Sequence, residues 1–192
     1  MDYTANIRRV YQLATPEEHA QGMAWYDNAR EFARTLASDH NVSLEVAAAV
    51  IAIISPNQTW ELNQTSASAL LTAWRKGRET RVSIPTYRNN TRKAIRLLRT
   101  GNLAVLLDSP RSHKTRAFYH CIVNPDTPEV CIDGHSYWIA HGTKEPLYST
   151  PSMWAALYRR IADSYRVVAM DLDLKPYQLQ AITWVVWHRK DA

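Results

Sequence analysis

The sequence predicts an all-α fold, built as one multi-helix domain over residues 1–192. Apolar residues recur at helical spacing along most of the chain, and helix start and stop signals separate the periodic segments. No segment alternates apolar and polar residues as a half-buried strand does. Hydrophobic residues make up 46% of the chain, and 192 residues suffice for one substantial core.

Two helices are predicted at the start of the chain. The first runs over Asn6–Leu13. The second begins at Thr15-Pro16-Glu17-Glu18, where Thr caps, Pro fits the first turn and the two acids favour the helix dipole, and it continues to about Ser38.

The next predicted helix starts at Ser43, and its segment Ala47–Ile54 is apolar on every side, which is typical of a buried central helix. Ser55-Pro56-Asn57 ends it. A further helix, Trp60–Lys76, ends at Gly77.

A basic helix is predicted over Thr86–Arg99, followed by a short helix over Asn102–Leu107. Four arginines of the basic helix share one face at helical spacing, namely Arg88, Arg92, Arg96 and Arg99. This stripe indicates either contacts with phosphates or an ordinary solvated face, and both interpretations stay open.

Four more helices are predicted in the remaining chain, over Lys114–Val123, Tyr137–Ala140, Pro151 to about Met170, and Lys175 to about Trp187. Trp154 is expected on the apolar face of the third. Val130–Ile132 is expected to be extended or to lead into a helix.

Composition permits a polyanionic partner but does not require one. Lys and Arg outnumber Asp and Glu by 23 to 18, and seven Trp and ten Tyr supply rings that can stack on bases.

The longest apolar run, Val46–Ile54, is shorter than the roughly 20 residues of a membrane span. Two cysteines do not make a disulfide scaffold, and the N-terminus has no apolar signal segment. A cytoplasmic protein without membrane association is expected.

Two stretches carry a resemblance to a known family. The first is HKTRAFY at 113–119 followed by VCIDGH at 130–135, which places Lys114 and Asp133 nineteen positions apart. The second is Ala48–Ser55 followed by Asn57-Gln58-Thr59. In order and spacing these stretches resemble the helix-hairpin-helix DNA glycosylases, the endonuclease III-like proteins. The resemblance covers residues 40–142.

The resemblance implies that Lys114 attacks the sugar C1′ to form a Schiff base, and that Asp133 stabilises the developing positive charge or orients a water. It implies double-stranded DNA as the partner. The family's glycine hairpin is replaced by Ser109-Pro-Arg-Ser-His113, so Arg111, Ser112, His113 and Arg116 are the expected phosphate contacts. The four-cysteine cluster motif is absent, and no cofactor is expected.

Further residues fit the handling of a flipped base. Asn57 and Gln58 are candidates to fill the vacated stack or read the base edge, Trp60 to stack, and His135 and Tyr137 to contact the substrate. Structural alternatives stay open: Asn57 as a helix break, Asp133 as the N-cap of the next helix, and His135 as a structural hydrogen-bonding group.

Other functions also stay open. The whole chain resembles uncharacterised proteins of actinobacteriophages, so it is expected to be phage-encoded and located in the host cytoplasm, and an enzyme that hypermodifies a base in phage DNA is one alternative. A non-catalytic DNA-binding protein and a small nucleotide-binding protein are two more. The possible ligands His120, Cys121, Cys131 and His135 do not follow a zinc spacing, so no metal is expected.

Overall fold

The computed structural model describes residues 3–107 and 112–189. These residues form nine α-helices and three short 3-10 helices without a strand among them, which confirms the all-α prediction. The α-helices are α1 (Tyr3–Gln12), α2 (Pro16–His40), α3 (Leu44–Ile54), α4 (Trp60–Arg75), α5 (Arg88–Thr100), α6 (His113–Val123), α7 (Gly134–His141), α8 (Ala155–Asp171) and α9 (Pro176–Trp187). The 3-10 helices are Glu79–Arg81, Leu103–Leu107 and Leu147–Ser149.

The described residues fall into two compact units, residues 3–28 with 124–189, and residues 29–107 with 112–123. That residues 1–192 form one domain, as expected from the sequence, stays a prediction.

The first unit packs α1 against α7, α8 and α9, and α9 also contacts α7 and α8. Its core contains the fully buried side chains of Ile7, Ile139, Ile161, Tyr165 and Leu179. Each helix therefore contributes an apolar stripe while its other face stays in solvent.

The second unit is built around α3. Every residue from Ala47 to Ile54 is buried, and α4, α5, α6 and the 3-10 helix Leu103–Leu107 all pack on this helix. Ser43 caps its start by accepting a hydrogen bond from the Val46 backbone N–H at 3.2 Å. The sequence prediction of a buried central helix is confirmed.

A buried arginine secures the end of α6 in the same unit. Arg30, in the second half of α2, is 6% exposed and donates to the carbonyl of Ile122 at 2.7 Å. A cation is favoured at this position because the last carbonyls of a helix carry partial negative charge.

Several helix starts differ from the predictions. α1 begins at Tyr3 rather than at Asn6, and α5 begins at Arg88 rather than at Thr86. α7 begins at Gly134 rather than near Tyr137, because Asp133 already caps it. α8 begins at Ala155 rather than at Pro151, because Thr150 is tied back by a hydrogen bond from Trp138 Nε1 at 3.0 Å. The prediction that Trp154 lies on the buried face was therefore wrong, since its side chain precedes the helix and is 66% exposed.

Gly22 offers a stability test in the first unit. An added Cβ would lie 2.5 Å from the Cα of Ile182. Alanine in a helix interior normally stabilises, but here α9 would have to shift, so Gly22→Ala should lower the free energy of unfolding by about 3 kcal/mol.

Urea unfolding followed by circular dichroism measures this change. Gly77→Ala is the control, because Gly77 has a φ of +64° but no heavy atom within 4 Å of its added Cβ, so it should lose only about 1–2 kcal/mol from backbone strain. A Gly22→Ala protein as stable as wild type contradicts the packing of α2 on α9.

Candidate nucleic-acid interface

Helix α5 presents a strongly basic outer face. It carries five cations and no acid, and its buried residues Ala94, Leu97 and Leu98 face inward. Arg88, Arg92 and Arg96 are exposed at intervals of four residues, so they lie along one side of the helix. This is the stripe expected from the sequence, minus its last member.

Arg99 has a structural role. Its Nε and Nη2 atoms donate to Glu79 Oε1 at 2.9 and 2.7 Å, and Glu79 is 7% exposed. The hydrogen bonds from Arg99 hold the pKa of the Glu79 carboxyl below its usual value. Arg99 thus anchors α5 to the 3-10 helix Glu79–Arg81.

A cavity of about 290 Å³ opens beside α5 in the second unit. Lys93 from α5 and Lys114 from the first turn of α6 both line it, and both are half-buried. The hydroxyl-bearing residues Ser112 and Thr115 lie on the α6 side of the same wall.

The rest of the cavity suits a ring with a polar edge. Tyr87, which precedes α5 and is 59% exposed, lines it together with the amide residue Asn90. Its apolar part is formed by Ile53, Pro56, Val105 and Leu106. Cations, hydrogen-bonding groups and an exposed aromatic ring therefore border one space.

A second cavity of about 240 Å³ also has Val105 in its lining. It is lined by Arg96 and Thr100 of α5 and by Asn102 and Ala104. Arg96 thus belongs to the basic face of α5 and also to this hollow.

The remaining predicted phosphate contacts lie at the start of α6. Arg116 is exposed, and its Nη2 atom is 3.4 Å from Nδ1 of His113. The backbone N–H of Arg116 donates to the carbonyl of Ser112 at 2.9 Å, which closes the first turn. Arg111 lies outside the described residues.

The segment between α3 and α4 holds the predicted base-handling residues. Asn57 is exposed and has a φ of +64°, a conformation that Asn tolerates better than most residues. Gln58 donates to the carbonyl of Ile54 at 2.6 Å and accepts from the Ser66 hydroxyl at 2.7 Å. Its amide thus joins α3 to α4.

Trp60 also has a packing role. Its ring meets that of Phe32 edge-on, with ring centres 5.9 Å apart. Contacts of Asn57, Gln58 and Trp60 with a nucleic acid stay predictions.

Asp133 belongs to the first unit, whereas Lys114 belongs to the second. Asp133 is half-buried and accepts a hydrogen bond from the Ser136 backbone N–H at 2.8 Å, so it is the N-cap of α7. The capping alternative for Asp133 is therefore confirmed. That its carboxylate faces the Lys114 amine stays a prediction.

A buried hydrogen-bond network lies next to Asp133. The Ser136 hydroxyl accepts from Gln180 at 3.2 Å, and Gln180 accepts from the Tyr26 hydroxyl at 3.0 Å. Burial strongly raises the pKa of Tyr165, and the charge of Asp133 adds to the rise. These hydroxyls are neutral hydrogen-bonding groups that stabilise the start of α7.

His135 and Tyr137 sit in aromatic clusters of the first unit. The ring centre of His135 is 4.0 Å from that of His188, and Tyr137 stacks on His141 at 3.9 Å. Tyr137 is 8% exposed, and burial raises the pKa of its hydroxyl. Substrate contact by these two residues stays a prediction.

Sequence reasoning missed the roles of Lys93, Asn90 and Tyr87 in the cavity. Lys93 lies off the arginine stripe and was not predicted as a site residue. The usable signal was the spacing of Asn90 and Lys93, three residues apart, which places them on a shared face of α5.

Metal-binding groups and membrane-spanning helices can be judged in residues 3–107 and 112–189. Among these described residues, no group of three or more His, Cys, Asp or Glu side chains is placed to hold a metal ion. Within the same ranges, no single helix has the length and apolarity to span a membrane; α2 and α3, bent by 115°, meet those criteria only as a pair.

Comparison with known proteins places the chain in one family. Residues 1–191 match the model described as "Family of unknown function (DUF7178)", and the chain belongs to that family. No curated protein and no solved structure matches it.

The Arg99–Glu79 pair yields a pH prediction. A carboxyl whose pKa is lowered in the folded state stabilises the protein above its unfolded pKa, and this contribution is lost as the pH falls through the folded pKa. Arg99→Gln should therefore reduce the free energy of unfolding at pH 7 and have little effect near pH 2.

Urea unfolding at the two pH values checks this dependence. Arg92→Gln, an exposed cation on the same helix, serves as the control and should change stability little at either pH. Equal losses at both pH values for Arg99→Gln would contradict the ion-pair assignment.

Proposed function

We propose that this protein binds DNA through the basic face of α5 and the adjoining cavity. One observation carries the proposal: Lys93 and Lys114, from two different helices, line a single cavity next to the exposed Arg88, Arg92 and Arg96. Cations in a row contact successive phosphates, and a cavity beside them accepts a group that leaves the duplex.

The size of the cavity supports this proposal. Its volume of about 290 Å³ is near the lower end of the ~300–1,000 Å³ range of small-molecule sites. One everted nucleotide is an appropriate guest, and the exposed ring of Tyr87 offers a surface on which its base stacks.

The finer proposal is glycosylase chemistry with strand-cleaving lyase activity, as the resemblance implies. The Lys114 amine attacks C1′, the bond from C1′ to the base breaks, and the base leaves with one of the two N–H protons. The bond from C1′ to O4′ then breaks, O4′ takes the other proton, and the C1′=N Schiff base remains on the opened sugar. The position of Lys114 in a cavity supports its role as the amine. Asp133 is proposed to stabilise the positive charge that develops on the sugar.

A base-modifying enzyme acting on phage DNA is a related proposal that uses the same cavity. Mass spectrometry of the nucleosides of phage DNA, with and without the gene, would separate base modification from base removal.

A DNA-binding protein without chemistry is the second candidate. It is favoured by the structural duties of Asp133, which caps α7, and of Gln58, whose amide joins α3 to α4.

The binding proposal predicts a salt-dependent affinity. Replacing Arg88, Arg92 and Arg96 together by Gln should weaken duplex binding, because fewer phosphates are then neutralised. The plot of log affinity against log salt should flatten by up to about 0.9 for each phosphate that an arginine no longer neutralises. Fluorescence anisotropy with a labelled duplex at several salt concentrations measures both effects.

A control of equal charge change is available in the same unit. Arg34, Lys76 and Arg78 are exposed and lie outside α5, so their triple Gln variant should keep the wild-type slope. If both triple variants bind alike, α5 is not the interface.

The chemical proposal predicts a trapped intermediate. Borohydride reduction with a panel of modified-base duplexes should crosslink the wild type, whereas Lys114→Ala should give no crosslink and Lys93→Ala should still give one, because Lys93 is not the attacking amine. Denaturing gels and mass spectrometry detect the adduct and its position.

Asp133→Asn is the matched variant for the carboxylate, because Asn caps helices about as well as Asp. Base release should fall by about 100-fold or more while stability stays near wild type. Absence of base release and of any crosslink in the wild type, with DNA binding intact, would remove the enzymatic proposal and leave the second candidate.

A further inference from the structure

Two lysines, two hydroxyl-bearing residues and the start of α6 border the 290 Å³ cavity. We infer that the cavity binds a phosphomonoester, the terminal phosphate of a nucleotide that is either free or at the end of a strand. This inference rests on the proposed assignment of the cavity as the nucleotide site, and it adds the chemical class of its ligand.

The first argument is charge balance. An internal phosphodiester carries one negative charge, whereas a phosphomonoester carries about −1.5 to −2 at pH 7. The ammonium groups of Lys93 and Lys114 and the positive end of the α6 dipole match the larger charge.

The second argument is the supply of hydrogen-bond donors. Ser112 and Thr115, which both carry hydroxyl groups, line the cavity together with Lys114 near the start of α6. A terminal phosphate presents three strong acceptor oxygens, one more than the two non-bridging oxygens of a diester. The α6 wall therefore suits a phosphate whose oxygens are exposed on several sides.

The third argument concerns the remainder of the ligand. Tyr87 and Asn90 line the cavity on the side of α5, and Asn90 shares a face of that helix with Lys93. A phosphate held by Lys93 and Lys114 places an attached base within the same small space, where the Tyr87 ring stacks and the Asn90 amide meets a base edge.

Calorimetric titration of the full chain tests the ligand class with four probes: thymidine 5′-monophosphate, thymidine 3′-monophosphate, thymidine and inorganic phosphate. Either monophosphate should bind at least about tenfold more tightly than thymidine and than inorganic phosphate. Lys93→Gln should weaken that binding by about tenfold to a hundredfold. Lys76→Gln, an exposed lysine of the same unit outside the cavity, should leave it unchanged.

Hairpin oligonucleotides distinguish the two sources of the phosphate. One hairpin ends in a 5′-phosphate, one in a 3′-phosphate and one in hydroxyls at both ends. A phosphate-dependent gain that Lys93→Gln abolishes assigns the cavity to strand ends; binding of a free monophosphate without such a gain assigns it to free nucleotides. Equal binding of thymidine and both monophosphates, or equal effects of Lys93→Gln and Lys76→Gln, overturns the inference.

The failure of this inference is separable from that of the proposed function. In one outcome, duplex binding is salt-sensitive and depends on the α5 arginines, but a free or terminal phosphate gives no gain in affinity. That outcome leaves DNA binding in place and overturns the phosphomonoester site. Monophosphate binding that depends on Lys93, with duplex binding indifferent to those arginines, supports the site and removes the proposed interface.

Discussion

The burial of α3 is the constraint on which the second unit depends. A helix that is apolar from Ala47 to Ile54 must be covered on every side, and α4, α5, α6 and the 3-10 helix Leu103–Leu107 cover it. Each covering element gives its apolar face to α3 and turns its polar face outward. The direction in which α5 presents its arginines is therefore a consequence of the core.

The same constraint explains how two lysines from distant parts of the chain border one cavity. Lys93 lies on α5 and Lys114 on α6, and both helices pack on α3. Ile53 and Pro56, at and just beyond the end of α3, contribute to the apolar part of the cavity. The central helix thus ends where the two cationic side chains approach the same space, and the core and the candidate site share one origin.

The sequence predicted the helical class, the central helix and the basic helix well, because these follow from periodicity and composition. It predicted the start of α8 poorly because the hydrogen bond from Trp138 to Thr150 joins residues that no local pattern relates. Lys93 was not predicted as a site residue, since it lies off the face of α5 that carries the arginine stripe. Gln58 was assigned to base reading, although tertiary packing gives its amide partners on α3 and α4.

The two halves of the sequence resemblance now have different support. Lys114 lines a cavity in a basic setting, which supports a role in ligand binding. Asp133 caps α7 beside a buried network of neutral hydroxyl and amide groups, which accounts for an acid at that position without chemistry. A carboxylate can perform both tasks, and the asparagine variant that preserves the cap is informative for that reason.

Hydrogen exchange of the intact chain, with and without a short duplex, locates a DNA-binding surface most directly. If α5 and the adjoining cavity bind DNA, exchange should slow in α5 and in the first turn of α6 and stay unchanged in α8 of the first unit. Protection of α8 with none in α5 or α6, or no protection anywhere at saturating duplex, would contradict the assignment of this face to DNA.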